Sequence, residues 1–94
     1  MRNAMIINEK DNVIVAIEPI AAGSEAVYML HGECCRIPVR EDIPMYHKLA
    51  RVTIAKGDQV IKYGEYIGEA GCEILEGSHV HTHNVLSVRE RVTD

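Results

Sequence analysis

The sequence contains no tryptophan and no phenylalanine, and its tyrosines are Tyr28, Tyr46, Tyr63 and Tyr66. An interior built from it is aliphatic, and the aromatic platforms on which single-stranded nucleic acid stacks are sparse. It also lacks a basic run: ten Lys and Arg are scattered among fourteen Asp and Glu, for a formal net charge of -4. A phosphate backbone requires clustered positive charge, so nucleic acid is not an expected partner. A carboxylate ligand stays open, because a ligand responds to the local field and not to the net charge. No stretch approaches the roughly 20 consecutive apolar residues of a membrane helix. The segment Met1 to Asn12 lacks the basic-then-apolar layout of a secretion signal. The expectation is a cytoplasmic protein with no membrane partner. Cys34, Cys35 and Cys72 form no disulfide framework and lack the C-x-x-C spacing of a zinc knuckle or redox pair, which fits a reducing compartment.

What is present is a chain of 94 residues with 47% hydrophobic content, enough for one domain, 1–94. Folding at this size buries roughly 60 to 65% of the unfolded surface, so a deep enclosed pocket is hard to build and a site calls for a second chain. Short runs rich in Val, Ile and Thr alternate with Gly-containing turns, and no long 3.6-residue period appears, which predicts an all-β domain. Strands are expected near Ala4 to Asn8, Asn12 to Glu18, Glu25 to Leu30, Cys34 to Val39, Arg51 to Ile54, Gln59 to Lys62, Tyr66 to Ala70 and His79 to Leu86. His31-Gly32-Glu33 reads as a hairpin turn. Pro44 interrupts regular pairing, and one short helical turn near 43–50 is left open. An internal pattern I-x-x-G-x-x-V joins Ile54 to Val60 with Ile74 to Val80, and Ile20-Ala21-Ala22-Gly23 repeats its first half. Each copy reads as an apolar anchor followed by a turn whose Gly permits a backbone closed to other residues.

The strongest chemical signal is His79-Val80-His81-Thr82-His83-Asn84. Strand alternation would put three imidazoles on one face, successive rings about 7 Å apart and the outer two about 13 Å apart. An adjacent pair can share one metal ion, whereas all three require a bend. His81 and His83 are the preferred metal pair, with His79 the alternate member; a ladder of hydrogen-bonded or solvated histidines is the plain alternative. His47-Lys48 offers a general base beside a cation, although such a pair is more often simply solvated. Lys62-Tyr63-Gly64 ends a strand and enters a turn, where binding groups are commonly mounted. Glu41-Asp42 reads as a solvated acidic pair, and the cysteines as packing residues.

Four ordered blocks carry a resemblance. They are Asp11-Asn12-Val13, then His47-Lys48, then Lys62-Tyr63-Gly64 with Ile67-Gly68, and finally His79-Val80-His81 with His83-Asn84. Together they resemble the amino-terminal SAF domain of altronate and galactarate dehydratases, across nearly the whole chain. The resemblance implies a β-clip fold, a small compact barrel of short strands. It implies one subunit or domain of a carbon–oxygen hydro-lyase, inactive alone, which shares its site with a large dehydratase subunit and acts on a sugar acid. The cofactor implied is a divalent metal, iron(II). The roles implied are His47, Lys48 and His79 in catalysis, Lys62, Tyr63 and Asn84 in substrate binding, and His81 and His83 at the metal. A related pairing occurs in sulfolactate sulfo-lyase, and a non-catalytic binding or docking module is the rival. A homo-oligomer is left open. Two features depart from the family pattern: Tyr46 stands where Gly is usual, and Cys34-Cys35 belongs to no family motif.

Overall fold

The structure, a computed structural model, describes residues 2–87. Nine strands follow one another: β1 (Ala4–Met5), β2 (Val13–Ala16), β3 (Glu25–Leu30), β4 (Glu33–Pro38), β5 (Lys48–Ala50), β6 (Gln59–Lys62), β7 (Glu65–Ala70), β8 (His79–Val80) and β9 (Val85–Ser87). All their pairings are antiparallel. The central sheet has the order β1-β2-β5-β8, β3 and β4 form a separate hairpin, and β6-β7-β9 make a third sheet. The all-β expectation holds, and no helix occurs among the described residues.

The central sheet separates two cores, and its strands are apolar because both faces are covered. Side chains alternate along β2, so Ile14 and Ala16 enter the first core while Val13 enters the second. The same alternation divides β5, with Leu49 in the first core and Ala50 in the second. The β3–β4 hairpin covers one face with Ala26, Tyr28 and Ile37, and the β6–β7 hairpin covers the other with Val60 and Ala70.

The repeated turn clips these layers together, and it occurs four times. In each copy an Ile is followed by a turn closed from the fifth residue's N–H to the second residue's carbonyl. Those bonds are Ser24 to Ala21 at 3.1 Å, His47 to Pro44 at 3.1 Å, Asp58 to Ala55 at 2.9 Å and Ser78 to Leu75 at 2.9 Å. The fourth residue has the positive φ that a type II turn requires at its third position: Gly23 at 88°, Tyr46 at 70°, Gly57 at 89° and Gly77 at 86°. Its N–H then reaches a carbonyl outside the turn, respectively of Val39, just past β4, and of Ala16, Ala70 and Ala50 in strands. The anchors pair as Ile20 with Ile43 and Ile54 with Ile74. The sequence shows three copies, because Tyr46 hides the fourth behind a side chain.

Three boundaries differ from expectation. The segment 43–50 is not helical: Ile43 to His47 is the second clip, and its exit runs straight into β5. The strand expected at Arg51 to Ile54 is shifted to Lys48–Ala50, because Leu49 and Ala50 are the residues with a core on each side. The strand expected at His79 to Leu86 breaks after Val80 into a turn, with Asn84 N–H bonded to the His81 carbonyl at 3.1 Å, before β9 begins.

A Cβ on Gly77 would collide with the Pro38 carbonyl oxygen, whereas one on Gly57 meets nothing within 4 Å. Gly57→Ala therefore bears only the positive φ, about 1 kcal/mol. Gly77→Ala adds a backbone clash and is expected to cost at least about 1 to 3 kcal/mol more. Urea unfolding of the two variants checks the difference, and equal losses would contradict this account of the clip.

Candidate metal and proton-transfer site

The histidines converge where β5 meets β8. The pairing register places Leu49 opposite His79 and Lys48 opposite Val80. His47 leaves the second clip immediately before β5, His79 opens β8, and His81 follows β8 at the head of the turn. One nitrogen from each of these three rings lies within 4.8 Å of the others. His47 Nδ1 and His79 Nε2 are 2.9 Å apart. The rings are close to parallel, with centroids separated by 5.1 Å for His47 and His79, 4.6 Å for His47 and His81, and 5.6 Å for His79 and His81.

Such spacing fits one divalent ion. Imidazole nitrogens ligate at about 2.0 to 2.1 Å, so two ligands of one ion are about 3 to 4 Å apart. Without an ion, the 2.9 Å contact requires one of His47 and His79 to donate a ring N–H to the other. The three donors are all imidazole nitrogens, a set that suits iron, zinc or manganese with positions left over.

The bend that a straight H-x-H-x-H strand lacks is supplied by Asn84. Its Oδ1 accepts the His81 N–H at 3.0 Å and its Nδ2 donates to the His79 carbonyl at 2.8 Å. The turn carries His83 back to within 5.3 Å of the His79 ring, tilted by 33°. His83 is therefore a neighbour of the group, while the grouped triad is His47, His79 and His81. Asn84, expected at the substrate, is 9% exposed and spends both ends of its amide on the loop's own backbone.

Lys48 is half-buried next to this group, and loss of water, helped by the charge of Lys62, lowers its pKa from the usual 10.5. Lys62 closes β6 with its ammonium 4.7 Å from the Tyr63 ring centre. Tyr63 and Gly64, at φ 58° and 75°, form the two-residue hairpin turn that demands positive φ twice. Asp11 and Asn12 pin this hairpin from below. The buried Asp11 carboxylate accepts from Gly64 N–H at 2.7 Å and Asn8 N–H at 3.1 Å, and Asn12 Oδ1 accepts from Ile61 N–H at 2.8 Å. The Asp-Asn block thus holds the Lys62-Tyr63 turn in place.

Glu41 and Asp42, expected as a solvated acidic pair, are exposed but each accepts a backbone hydrogen bond. The Glu41 carboxylate accepts the His79 N–H at 3.0 Å and brings negative charge to the cluster, a contact across 38 residues that no local pattern announces. Asp42 separately accepts the Ala22 N–H at 2.9 Å and fastens the first clip.

Comparison with known proteins gives a consistent result. The family model described as the altronate/galactarate dehydratase SAF domain matches residues 2–88. The altronate dehydratase of Bacillus subtilis is 37% identical over 84 residues, 89% of this chain and 16% of that protein. The altronate dehydratase of Escherichia coli is 42% identical over 78 residues, 83% of this chain and 15% of that protein. The (2R)-sulfolactate sulfo-lyase subunit alpha of Chromohalobacter salexigens is 33% identical over 90 residues, 89% of this chain and 94% of that protein. The chain thus spans about one sixth of the two dehydratases and almost all of the sulfo-lyase subunit. No helix among the described residues is long and apolar enough to cross a membrane.

Acid would oppose ion binding at this cluster. Burial and the charges of His47 and His83 hold His79 below the usual 6.5, against an opposing pull from Glu41. His81 is held below 6.5 too, by local loss of water and by the charges of His47 and Lys48. In both rings the shift favours the neutral form that a metal ligand must have. Because the folded pKa of His79 lies below the unfolded one, its contribution to stability is complete above pH 6.5 and is lost as pH falls through the folded value. Cobalt(II) titration of the chain is expected to show binding at pH 7.5 that fades towards pH 5.5. His81→Ala should weaken it at least about tenfold, and His83→Ala by less. Equal losses in the two variants would move the ion to another donor set.

Proposed function

Because the chain belongs to the altronate/galactarate dehydratase SAF-domain family, we propose that it is the part of a lyase that supplies metal-binding imidazoles and cations to a site shared with a larger chain. The observation that carries this reading is the meeting of His47, His79 and His81 at the β5–β8 pairing, on a surface and not inside a cavity. Of the three rings, His81 is exposed and His47 and His79 are half-buried, so the donors face outward towards whatever completes the site.

The reaction is elimination from a hydroxy acid. The C–H bond beside the carboxylate breaks, its proton goes to a base, and its electron pair forms the new C=C bond. The bond to the leaving group on the next carbon breaks, and a departing hydroxyl takes up a proton and leaves as water. The enol then becomes a 2-keto-3-deoxy acid. A divalent ion held by His47, His79 and His81 would supply positive charge opposite the oxygens on which negative charge develops. Lys48, with its lowered pKa, is suited to move a proton near neutral pH or to stay charged beside the enolate. Lys62 adds a second cation for the substrate carboxylate, and His83, next to the triad, is placed for proton transfer.

The match over 94% of the sulfo-lyase subunit favours a second leaving group. There the electron pair of the C–H bond expels sulfite in place of water, with the same demand for charge at the carboxylate.

The test is co-purification with a large dehydratase-like chain and turnover of aldonic acids, aldaric acids and sulfolactate, with and without iron(II). Turnover requiring both chains is the expected result, and the preferred acid identifies the leaving group. His79→Ala and Lys48→Met should each lower kcat by about a hundredfold or more in the assembly. Full turnover by the large chain alone would reduce this protein to a docking or binding module.

A further inference from the structure

Tyr46 holds a backbone conformation that the other three clips reserve for glycine. Gly23, Gly57 and Gly77 have φ of 88°, 89° and 86°, and Tyr46 has 70°. An L side chain there costs about 1 to 2 kcal/mol relative to Gly. The fold gains nothing visible in exchange. Tyr46 is 71% exposed, the most of any large apolar side chain, and its hydroxyl has no hydrogen-bond partner among the described residues. The backbone beneath it is tightly held. Its N–H donates to the Ala16 carbonyl at 2.6 Å, the next N–H closes onto Pro44, and Ile43 exchanges two bonds with Ile20. A strained, unpartnered ring on a rigid mount points to a contact with something outside this chain.

Its position says what. Tyr46 immediately precedes His47, so their Cα atoms are about 3.8 Å apart. The His47 ring in turn lies 2.9 Å from His79. We propose that Tyr46 is a specificity-determining residue, a wall beside the histidine triad that contacts the bound organic acid and restricts its length. The inference rests on the lyase reading above. A glycine, as in the other three clips, would carry no side chain on the residue before His47, whereas an exposed tyrosine ring there takes up volume, so on this inference the site favours shorter acids. A single added or missing apolar contact of this kind changes selectivity by roughly 10- to 200-fold.

The experiment compares the wild-type two-chain assembly with Tyr46→Gly and Tyr46→Phe. Acid binding is read by calorimetry, and KM and kcat are measured for three-carbon and six-carbon hydroxy acids. Tyr46→Gly relieves the backbone, so it should fold at least as well as the wild type and bind cobalt(II) within about threefold of it. It is expected to shift the ratio of kcat/KM towards the six-carbon acid by at least about tenfold, mainly through KM. Tyr46→Phe keeps the ring and should keep the wild-type ratio. An unchanged ratio in Tyr46→Gly, with the wild type binding and turning over acid, would overturn the inference and leave the lyase reading intact. Loss of the large chain from Tyr46→Gly would assign the ring to the subunit interface and also overturn it. If the wild type binds no acid at all, both readings fall together.

Discussion

The pairing of β5 with β8 is the contact on which the rest depends. These strands are short, Lys48–Ala50 and His79–Val80, yet their pairing joins the first half of the chain to the second at one end of the central sheet. Side chains reverse face at every residue, so a slip of one position would exchange the residues of the two cores and turn His79 away from His47. Leu49 in one core and Ala50 and Val80 in the other make that slip costly. The same register that partitions the apolar side chains therefore aims the imidazoles.

The clips explain how so small a domain keeps this register with strands of two to six residues. Each turn carries one N–H to a carbonyl outside itself and one isoleucine to a bridge partner, so each is fastened at two points. The second and fourth clips lead directly into β5 and β8, and the clustered histidines sit at their exits. Packing and chemistry share this framework. His47 inherits its position from the turn that closes on Pro44, and His81 from the amide of Asn84.

The two hairpins belong to the same scheme on opposite faces. Each has a two-residue turn with positive φ at both positions, His31-Gly32 in one and Tyr63-Gly64 in the other. The second is bound to Asp11 and Asn12, which keeps Lys62 close enough to Lys48 for its charge to be felt. Positive charge thereby gathers beside the triad in a protein whose net charge is -4. Such a local field would attract an acid despite the net charge.

Much of this was legible in the residues. The all-β class, the β3–β4 and β6–β7 hairpins and three of the clips follow from apolar spacing and glycine, signals that act over a few residues. The importance of the two histidine blocks was also visible, because H-x-H-x-H and His-Lys are local patterns. Their grouping was not. Alternation on a straight strand favours His81 with His83, whereas the bend made by Asn84 and the β5–β8 register collect His47, His79 and His81. The second clip escaped because its turn places Tyr46 where the repeat leads one to look for Gly, and the contact of Glu41 with His79 escaped because the two are 38 residues apart. By itself the sequence determined the kinds of element and the chemical groups available, since these depend on short-range sterics and on side-chain type. Which groups share a site was decided by the tertiary structure alone, because strand register and turn closure act between residues that are distant in the chain.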